Sequence, residues 1–191
     1  MKVIRTFVAV LIDEELRQNI AEVQSRVKKL APDVKWVAPE NFHVTLKFLG
    51  DVEEDALSQV FTAVEEAARR CSPFDLSMSG LGAFPNPSRA RVVWAGISDG
   101  RDKVSDLASK VDESLSKLGF GKEDKPFKAH ITIGRVKDSR NLGRLAEAIQ
   151  NTNAVNLGTQ RVNSVAVMQS EMLRSGSIYT PLRIIDLSGG G

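Results

Sequence analysis

The chain contains two histidines, and each begins the same four-residue motif. His43 opens the sequence His-Val-Thr-Leu, and His130 opens the sequence His-Ile-Thr-Ile. In an extended strand, successive side chains point to opposite faces, so the His and Thr of a motif share one face and its apolar residues share the other. The motifs therefore predict two strands that each bury an apolar face and present one imidazole and one hydroxyl group on a polar face.

The surroundings of the two motifs repeat along the chain at a spacing of about 87 residues. In each half, an apolar strand comes first, followed by a helix with one apolar stripe, the motif strand, a second helix and a closing strand. This order predicts an internal duplication with one additional strand at the end. The expected strands are 3–12, 42–49, 74–83, 91–98, 127–136, 160–168 and 178–187, and the helical stripes lie at 16–30, 57–64, 104–118 and 142–149.

The alternation of apolar and polar residues in the motif strands indicates the type of sheet. Strands of a parallel sheet covered on both faces are apolar throughout, whereas alternation is typical of an antiparallel sheet with one wet face. We therefore expect an α+β fold with two pseudo-symmetric lobes, each an antiparallel sheet flanked by helices, around a central cleft. Residues 1–187 are interpreted as one bilobal domain whose halves, about 1–85 and 88–187, meet at a proline-rich turn, with a disordered tail at 188–191.

Composition limits the class of protein. The single cysteine, Cys71, excludes an internal disulfide and favours a reducing, cytoplasmic compartment. No run approaches the roughly 20 apolar residues of a membrane helix, so no membrane partner is expected, and a monomer is the default. Residues 122–144 carry seven Lys or Arg against three Asp or Glu, which favours attraction of an anionic substrate to the second motif over an ordinary solvated surface.

Four stretches carry a resemblance that spans nearly the whole chain. They are RTFVAV near the start, WVAPENFHVTLKFLGDV around the first motif, GAFPNPSRARVVWAGI in the middle and PFKAHITIGRV around the second motif. Together they resemble the 2H phosphoesterase superfamily, and within it the RNA 2′,3′-cyclic phosphodiesterases, also called 2′-5′ RNA ligases. One departure is Ala129, where this family often has proline. The resemblance implies the same bilobal fold and an RNA substrate that ends in a 2′,3′-cyclic phosphate.

Hydrolysis of a cyclic phosphate needs one group to accept a proton from water and another to protonate the departing oxygen. Two imidazoles suit both tasks because the pKa of histidine lies near neutrality, and no metal or cofactor is needed. The spacing alone does not say which histidine does which. The resemblance implies that His43 is the proton donor to the 3′ oxygen, that His130 is the proton acceptor and that the product ends in a 2′-phosphate. It also implies that Thr45 and Thr132 bind the phosphate.

Two cations near the motifs are further candidates for substrate binding. Arg135 matches a phosphate-binding arginine of the family, but strict alternation places it on the face opposite His130, unless a bulge at Gly134 re-aims it. Lys47 shares the face of His43 by alternation and is expected to add charge to the cleft, with a solvated strand lysine as the alternative. Three aromatic residues near the motifs are interpreted as core, Trp36, Phe48 and Trp94, with a base-stacking platform as the alternative for Phe48.

Three other functions remain open at this level. A zinc site would need a third protein ligand, and neither motif has a carboxylate or thiol beside its histidine. A non-catalytic nucleotide-binding module would not need both histidines. A phosphodiesterase for a small cyclic nucleotide, such as ADP-ribose cyclic phosphate, would use the same chemistry as the RNA enzyme.

Overall fold

The computed structural model describes residues 2–31, 33–138, 142–174 and 176–189. Within these ranges the chain forms nine strands and four α-helices. The strands are β1 (Val3–Leu11), β2 (Val34–Trp36), β3 (His43–Glu53), β4 (Phe74–Phe84), β5 (Val92–Asp99), β6 (His130–Val136), β7 (Asn156–Val162), β8 (Ser164–Leu173) and β9 (Gly176–Asp186). The helices are α1 (Glu14–Lys28), α2 (Leu57–Ala68), α3 (Arg101–Ser116) and α4 (Leu142–Gln150).

The helices follow from the apolar stripes of the sequence. Helix α1 begins after Asp13, whose carboxylate accepts a hydrogen bond from the backbone N–H of Leu16 and satisfies one free donor of the first turn. In α1 and α3 the residues at helical spacing are buried, and they pack with the apolar faces of the strands into one large core. The predicted helices are therefore confirmed in position and in most of the face that they bury, but Leu30 and Leu118, the last residues of two predicted stripes, lie beyond the ends of α1 and α3 and are exposed.

One strand prediction was wrong, and one strand was missed. The stretch 160–168, expected as one strand, contains the end of β7 and the start of β8, which are separate strands near opposite ends of the strand order. The short strand β2 was not expected from the sequence. It pairs with β6 beside the second motif and so contributes to the site.

All strand pairs are antiparallel, which confirms the α+β fold with antiparallel sheet. The strands follow the order β7-β4-β5-β6-β3-β1-β8-β9, and β2 also pairs with β6. The order is pseudo-symmetric about the β6–β3 junction. We call β3, β1, β8 and β9 the first-motif lobe, and β6, β5, β4, β7 and β2 the second-motif lobe. The register joins the two lobes at one pair, Val44 and Ile131.

The lobes do not coincide with the halves of the sequence. Strand β4, which ends the first half, pairs with β5 and β7 in the second-motif lobe. Strands β8 and β9, which end the second half, complete the first-motif lobe beside β1. Helices α1 and α3 cross in the same way, because α1 packs against β7 and α3 packs against β3, whereas α2 packs against β8 and β9 and α4 packs against β4. The expectation that each closing strand completes its own half is therefore wrong.

The end of the described chain is held against helix α2. The backbone N–H groups of Ser188 and Gly189 donate to the carbonyls of Ala68 and Cys71. The first two residues of the expected disordered tail are thus hydrogen-bonded, and Gly190 and Gly191 lie outside the described residues. In the described ranges, no helix combines the length and the apolar character that crossing a membrane requires.

Candidate active site

The two motifs lie side by side on neighbouring strands. Val44 of β3 is paired with Ile131 of β6 in antiparallel register, and both side chains are fully buried. In such a ladder, the flanking positions put His43 opposite Thr132, and Thr45 opposite His130. All four side chains lie on the face away from the core. Diagonal positions are about 7–8 Å apart, so one phosphate group fits between the two imidazoles.

Both imidazole rings are oriented by backbone carbonyls. Nδ1 of His43 lies 2.7 Å from the carbonyl oxygen of Asn41, and Nδ1 of His130 lies 2.6 Å from that of Lys128. A carbonyl oxygen only accepts, so Nδ1 of each ring carries the proton and donates it. This leaves Nε2 of each ring as the nitrogen for proton transfer. Nε2 of His43 lies 2.8 Å from Oγ1 of Thr45.

The environment lowers the pKa of both histidines. Burial is the largest cause in each case, because it disfavours the charged imidazolium. The hydrogen bonds to the carbonyls of Asn41 and Lys128 oppose this effect. The charge of His130 adds to the lowering at His43, and the charge of Arg135 adds to the lowering at His130. In the free protein both rings therefore favour the neutral form at neutral pH.

Arg135 lies on the same face as the second motif. Along the β5–β6 ladder, Trp94 pairs with Thr132 and Val92 pairs with Arg135. Trp94 and Val92 are two residues apart on one strand and share a face, so their partners share that face too. The register shift in this ladder inserts one extra residue into β6 between Thr132 and Gly134. The bulge therefore re-aims Arg135 from the core face, where strict alternation would place it, to the cleft face.

A glycine is required at position 134, where β2 pairs with β6. A β-carbon at this position would lie 2.7 Å from Cγ1 of Val34 and 2.9 Å from Cε3 of Trp36, both on β2. The absence of a side chain lets the Trp36 ring pack against the backbone of β6. Trp36 is half-buried against the main core, as its interpretation as a core residue requires.

Lys47 does not lie in the cleft. A second register shift, between β1 and β3, pairs Ala9 with Thr45 but Val8 with Lys47. Val8 is fully buried, so the bulge turns the Lys47 side chain to the core face. There Nζ of Lys47 donates to Oδ1 of Asp112 on α3 and to the carbonyl of Gly121, each at 2.6 Å. The prediction that Lys47 shares the face of His43 is therefore wrong, because it assumed unbroken alternation.

Aromatic side chains line the first-motif lobe next to His43. The ring of Phe7 lies 5.0 Å from the imidazole of His43 and 5.9 Å from the ring of Phe48. Tyr179 meets His43 edge-on at 5.2 Å. Phe48 is 65% exposed, so its interpretation as core is wrong, since the same bulge that buries its neighbour turns it into the cleft.

The second-motif lobe presents a smaller aromatic surface. Phe84 contacts the imidazole of His130 edge-on at 4.9 Å and lies 5.2 Å from Trp94. Nζ of Lys128 lies 5.6 Å from the centre of the Phe84 ring. Trp94, interpreted as core, belongs to the cleft face instead, because it pairs with Thr132 and its ring covers Gly82 of β4. His130 thus contacts one aromatic ring, that of Phe84, whereas His43 contacts two.

Sequence reasoning missed the groups that hold the histidines. The carbonyls of Asn41 and Lys128 both lie two residues before their histidine, but a backbone acceptor leaves no mark in residue identity. Phe7, Tyr179 and Phe84 come from distant parts of the sequence and are identified only by the strand order. Among the residues that the structure describes, no three His, Cys, Asp or Glu side chains are grouped as metal ligands.

Comparison with known proteins agrees with this geometry. The family described as LigT like Phosphoesterase matches twice, over residues 10–94 and again over residues 96–179, so that each match contains one motif. The RNA 2′,3′-cyclic phosphodiesterase of Methanothermobacter thermautotrophicus is 40% identical over 184 residues, covering 96% of this chain and 99% of the relative. That of Aquifex aeolicus is 37% identical over 193 residues, covering 99% and 100%.

Solved structures show the same fold. A protein of Thermus thermophilus superposes with a TM-score of 0.81 at 30% identity, covering 98% of this chain and all of the other. E. coli LigT complexed with 3′-AMP superposes with a TM-score of 0.79 at 25% identity, covering 98% of this chain and 99% of the other. The similarity therefore extends over the full described architecture.

Proposed function

Because this chain belongs to the LigT-like phosphoesterase family, we propose that it hydrolyses RNA 2′,3′-cyclic phosphate ends to 2′-phosphomonoesters. The observation that supports the proposal is the pairing of Val44 with Ile131, which brings the two His-Thr motifs side by side on neighbouring strands. The relatives named RNA 2′,3′-cyclic phosphodiesterase, at 40% and 37% identity over nearly their whole length, support the same substrate.

The two imidazoles divide the proton transfers. Water attacks phosphorus opposite the 3′ oxygen, and Nε2 of His130 accepts the proton that the water loses. The bond between phosphorus and the 3′ oxygen breaks as His43, in its protonated form, donates a proton from Nε2 to that oxygen. The donation of Nδ1–H to a carbonyl holds each ring with Nε2 toward the cleft, which this exchange requires. The bound phosphate anion favours the protonated acid, which opposes the effect of burial.

The hydroxyl groups and one cation stabilise the charge that develops on the phosphate. Thr45 and Thr132 flank the gap from the two strands and donate to the non-bridging oxygens. Arg135 lies on the same face further along β6 because of the bulge, and from there its guanidinium adds to the positive potential at the gap. Groups fixed before the reaction act most strongly, because they need no reorganisation in the transition state. In this mechanism every step uses side chains of the chain itself, with no metal ion.

The exposed aromatic ring of Phe48 suits a nucleobase. Base–aromatic stacking tolerates any sequence, because every base has a π face. The ring of Phe48 packs against the ring of Phe7, which also contacts His43. A base stacked on Phe48 therefore lies beside the catalytic gap.

The same geometry admits ligation. A 5′-hydroxyl of a second RNA in the position of water would form a 2′-5′ linkage, with His130 accepting the proton of that hydroxyl and His43 again donating a proton to the departing 3′ oxygen. The protein is proposed to act as a cytoplasmic monomer. The buried, unpaired thiol of Cys71 agrees with a reducing compartment.

Replacement of each histidine tests the mechanism. The variants His43→Ala and His130→Ala are each expected to lose about 10²–10⁴ in kcat on an oligoribonucleotide with a 2′,3′-cyclic phosphate end. Because the two rings act in one step, the double variant should be little slower than either single variant. Phosphorus NMR of the product distinguishes a 2′-phosphate from a 3′-phosphate. Turnover of both single variants within threefold of the parent would refute the two-histidine mechanism.

A further inference from the structure

Lys35 and Arg135 form a pair of cations that have no acidic partner within the part of the chain that the structure describes. Both side chains are exposed, and no ion pair or side-chain hydrogen bond involves either of them there. Lys35 belongs to β2, the strand that the sequence did not predict. The register places Lys35 directly opposite Arg135 on β6.

The register also shows that Lys35 lies on the cleft face. The neighbours of Lys35 on β2, Val34 and Trp36, are the side chains that a β-carbon at Gly134 would meet, so they lie on the core face of β6. Lys35 alternates with them and points the other way. Residues directly opposite in an antiparallel ladder share a face, so Lys35 lies on the face of Arg135 and of the second motif.

Two like charges in directly opposite positions destabilise a sheet. No carboxylate of the described chain forms an ion pair with Lys35 or Arg135, whereas the strand cations Lys47 and Arg161 each have such a partner. An anion bound between Lys35 and Arg135 removes the repulsion. The pair is therefore suited to a phosphate group, which accepts charge-assisted hydrogen bonds from both.

The cation pair and the exposed aromatic ring lie at opposite ends of the cleft. Along β6, Arg135 is four residues beyond Ile131, and along β3, Phe48 is four residues beyond Val44. Because the strands are antiparallel, these displacements run in opposite directions, each of roughly 10–13 Å. A group at Lys35 is thus too far from the gap between the histidines to be the reacting phosphate.

A ribonucleotide with a 2′,3′-cyclic phosphate has matching polarity. The base is attached to the 1′ carbon, which neighbours the 2′ carbon. The 5′ carbon is attached to the 4′ carbon, which neighbours the 3′ carbon. The base and the 5′-phosphate therefore leave the ribose on opposite sides of the cyclic phosphate. With the base on Phe48, the 5′-phosphate extends toward the cation pair. We propose that Lys35, together with Arg135, binds the phosphate on the 5′ oxygen of the terminal nucleotide, an inference that rests on the proposed function.

This orientation has a consequence for the reacting atoms. The row of His43 and Thr132 lies nearer the cation pair, because Thr132 is closer than His130 to Arg135 along β6. The 3′ oxygen of the bound nucleotide then lies toward His43, and the 2′ oxygen lies toward His130. The contact at Lys35 therefore orients the cyclic phosphate for departure of the 3′ oxygen and distinguishes an RNA end from a nucleoside 2′,3′-cyclic phosphate.

Three substrates and one substitution test the subsite. The substrates are a nucleoside 2′,3′-cyclic phosphate with a free 5′-hydroxyl, the same compound with a 5′-phosphate, and a dinucleotide that ends in the same cyclic phosphate. Lys35→Met keeps the aliphatic stem and removes the charge. It should lower kcat/KM about tenfold or more for the two substrates with a 5′-phosphate, as for loss of one charge-assisted hydrogen bond, and leave the 5′-hydroxyl substrate within about twofold.

Two matched control variants test whether the loss of kcat/KM is specific to Lys35. Lys103→Met removes an exposed charge from α3, in the helical layer, and should leave kcat/KM unchanged on all three substrates. Lys128→Met removes the cation at the other end of β6, over the ring of Phe84, and should not abolish the preference for a 5′-phosphate. For the dinucleotide, the slope of log kcat/KM against the logarithm of the salt concentration should decrease in magnitude by about one. Among the three variants, only Lys35→Met should show this decrease.

The outcomes separate the two proposals. If the parent protein hydrolyses none of the three substrates, the proposed function is wrong. If it hydrolyses all three but the 5′-phosphate gives no advantage, or Lys35→Met slows all three equally, the subsite is wrong and the function stands. If Lys128→Met instead of Lys35→Met removes the advantage, the RNA leaves the cleft at the other end, and the proposed orientation is overturned.

Discussion

Replacement of Lys47 by methionine distinguishes the buried ion pair from a role in the cleft. Methionine keeps most of the apolar stem, so the change removes mainly the ammonium group and its two hydrogen bonds, to Asp112 and to the carbonyl of Gly121. The Lys47 side chain is 2% exposed and the Asp112 side chain 18% exposed. The substitution therefore leaves the Gly121 carbonyl without this donor, and it leaves a largely buried carboxylate without its cation and with only the backbone N–H of Glu123 as a donor.

The expected cost follows from these exposures. Removal of one partner of a buried pair costs about 3–5 kcal/mol, because the remaining charge has lost its compensation. Asp112 keeps some contact with water, so we expect the lower end, about 3 kcal/mol. Glu123, at 3.9 Å from Nζ and 58% exposed, adds little. For a chain of this size, about 3 kcal/mol corresponds to a decrease in Tm of roughly 6–12 °C.

Calorimetry on four variants measures this cost: Lys47→Met, Asp112→Leu, the double variant and one control. The double variant Lys47→Met with Asp112→Leu removes both partners and should recover about 2 kcal/mol of the loss seen in Lys47→Met, since no charge is left uncompensated. The control is Lys110→Met, which breaks a partly exposed pair with Asp106 at the same 2.6 Å distance. That exposed pair should contribute less than about 1 kcal/mol.

The activity of the Lys47→Met variant tests whether the Lys47 amino group lies on the core side of β3. Because Nζ of Lys47 lies on the core side of β3, the folded Lys47→Met variant should keep kcat/KM within about threefold of the parent at a temperature well below its Tm. A variant with unchanged Tm and a hundredfold loss of kcat/KM would place the amino group in the cleft and refute the bulge in β3. Additive effects of the Lys47 and Asp112 substitutions would refute the ion pair.

The remaining predictions concern the pH dependence, the metal dependence and the packing of β2 on β6. The bell of kcat/KM should centre below pH 6.5, since burial lowers the pKa of both histidines in the free protein, and the bell of kcat should lie at higher pH because bound phosphate favours protonation. A kcat/KM bell centred above about pH 7 would contradict this. The unfolded chain binds protons to these histidines more tightly, so the free energy of unfolding should be constant above about pH 6.5 and fall as the pH decreases from there to the folded pKa values, with a smaller fall in the double His variant. Activity should survive excess chelator, and restoration of a lost activity by zinc or magnesium would refute metal-independent chemistry. Gly134→Ala should destabilise by about 1–3 kcal/mol, because its β-carbon overlaps Val34 and Trp36, and unchanged unfolding would contradict the close packing of β2 on β6.

The helices and most of the strands could be predicted because their signals are local. Periodicity of 3.6 residues and alternation of two residues fix the type of element and its buried face from neighbours in the sequence. The two motifs belong to this class of signal. Val44 and Ile131 had to be buried, so the histidines and threonines had to face away from the core. The catalytic roles of these four residues stay predictions.

Strict alternation failed where a ladder gained one residue. The two bulges turn Arg135 into the cleft and Lys47 out of it, and the bulge beside Lys47 also exposes Phe48. Only at Gly134 did the sequence offer a hint, because a glycine in a strand often marks a bulge or a close approach. At Lys47 the flanking residues have ordinary strand propensity, and the register became visible only with β1 in place.

The sequence by itself determined the duplication, the α+β class, the apolar faces and the two His-Thr pairs, because each depends on residues within one element or its repeat. Only the tertiary structure decided that the closing strands exchange between lobes, that β2 brings Lys35 beside Arg135, and that Phe7 and Tyr179 flank His43. The physical reason is that strand pairing depends on packing between distant segments. A pairing register is set by the whole apolar face that it buries, and no single segment specifies its partner.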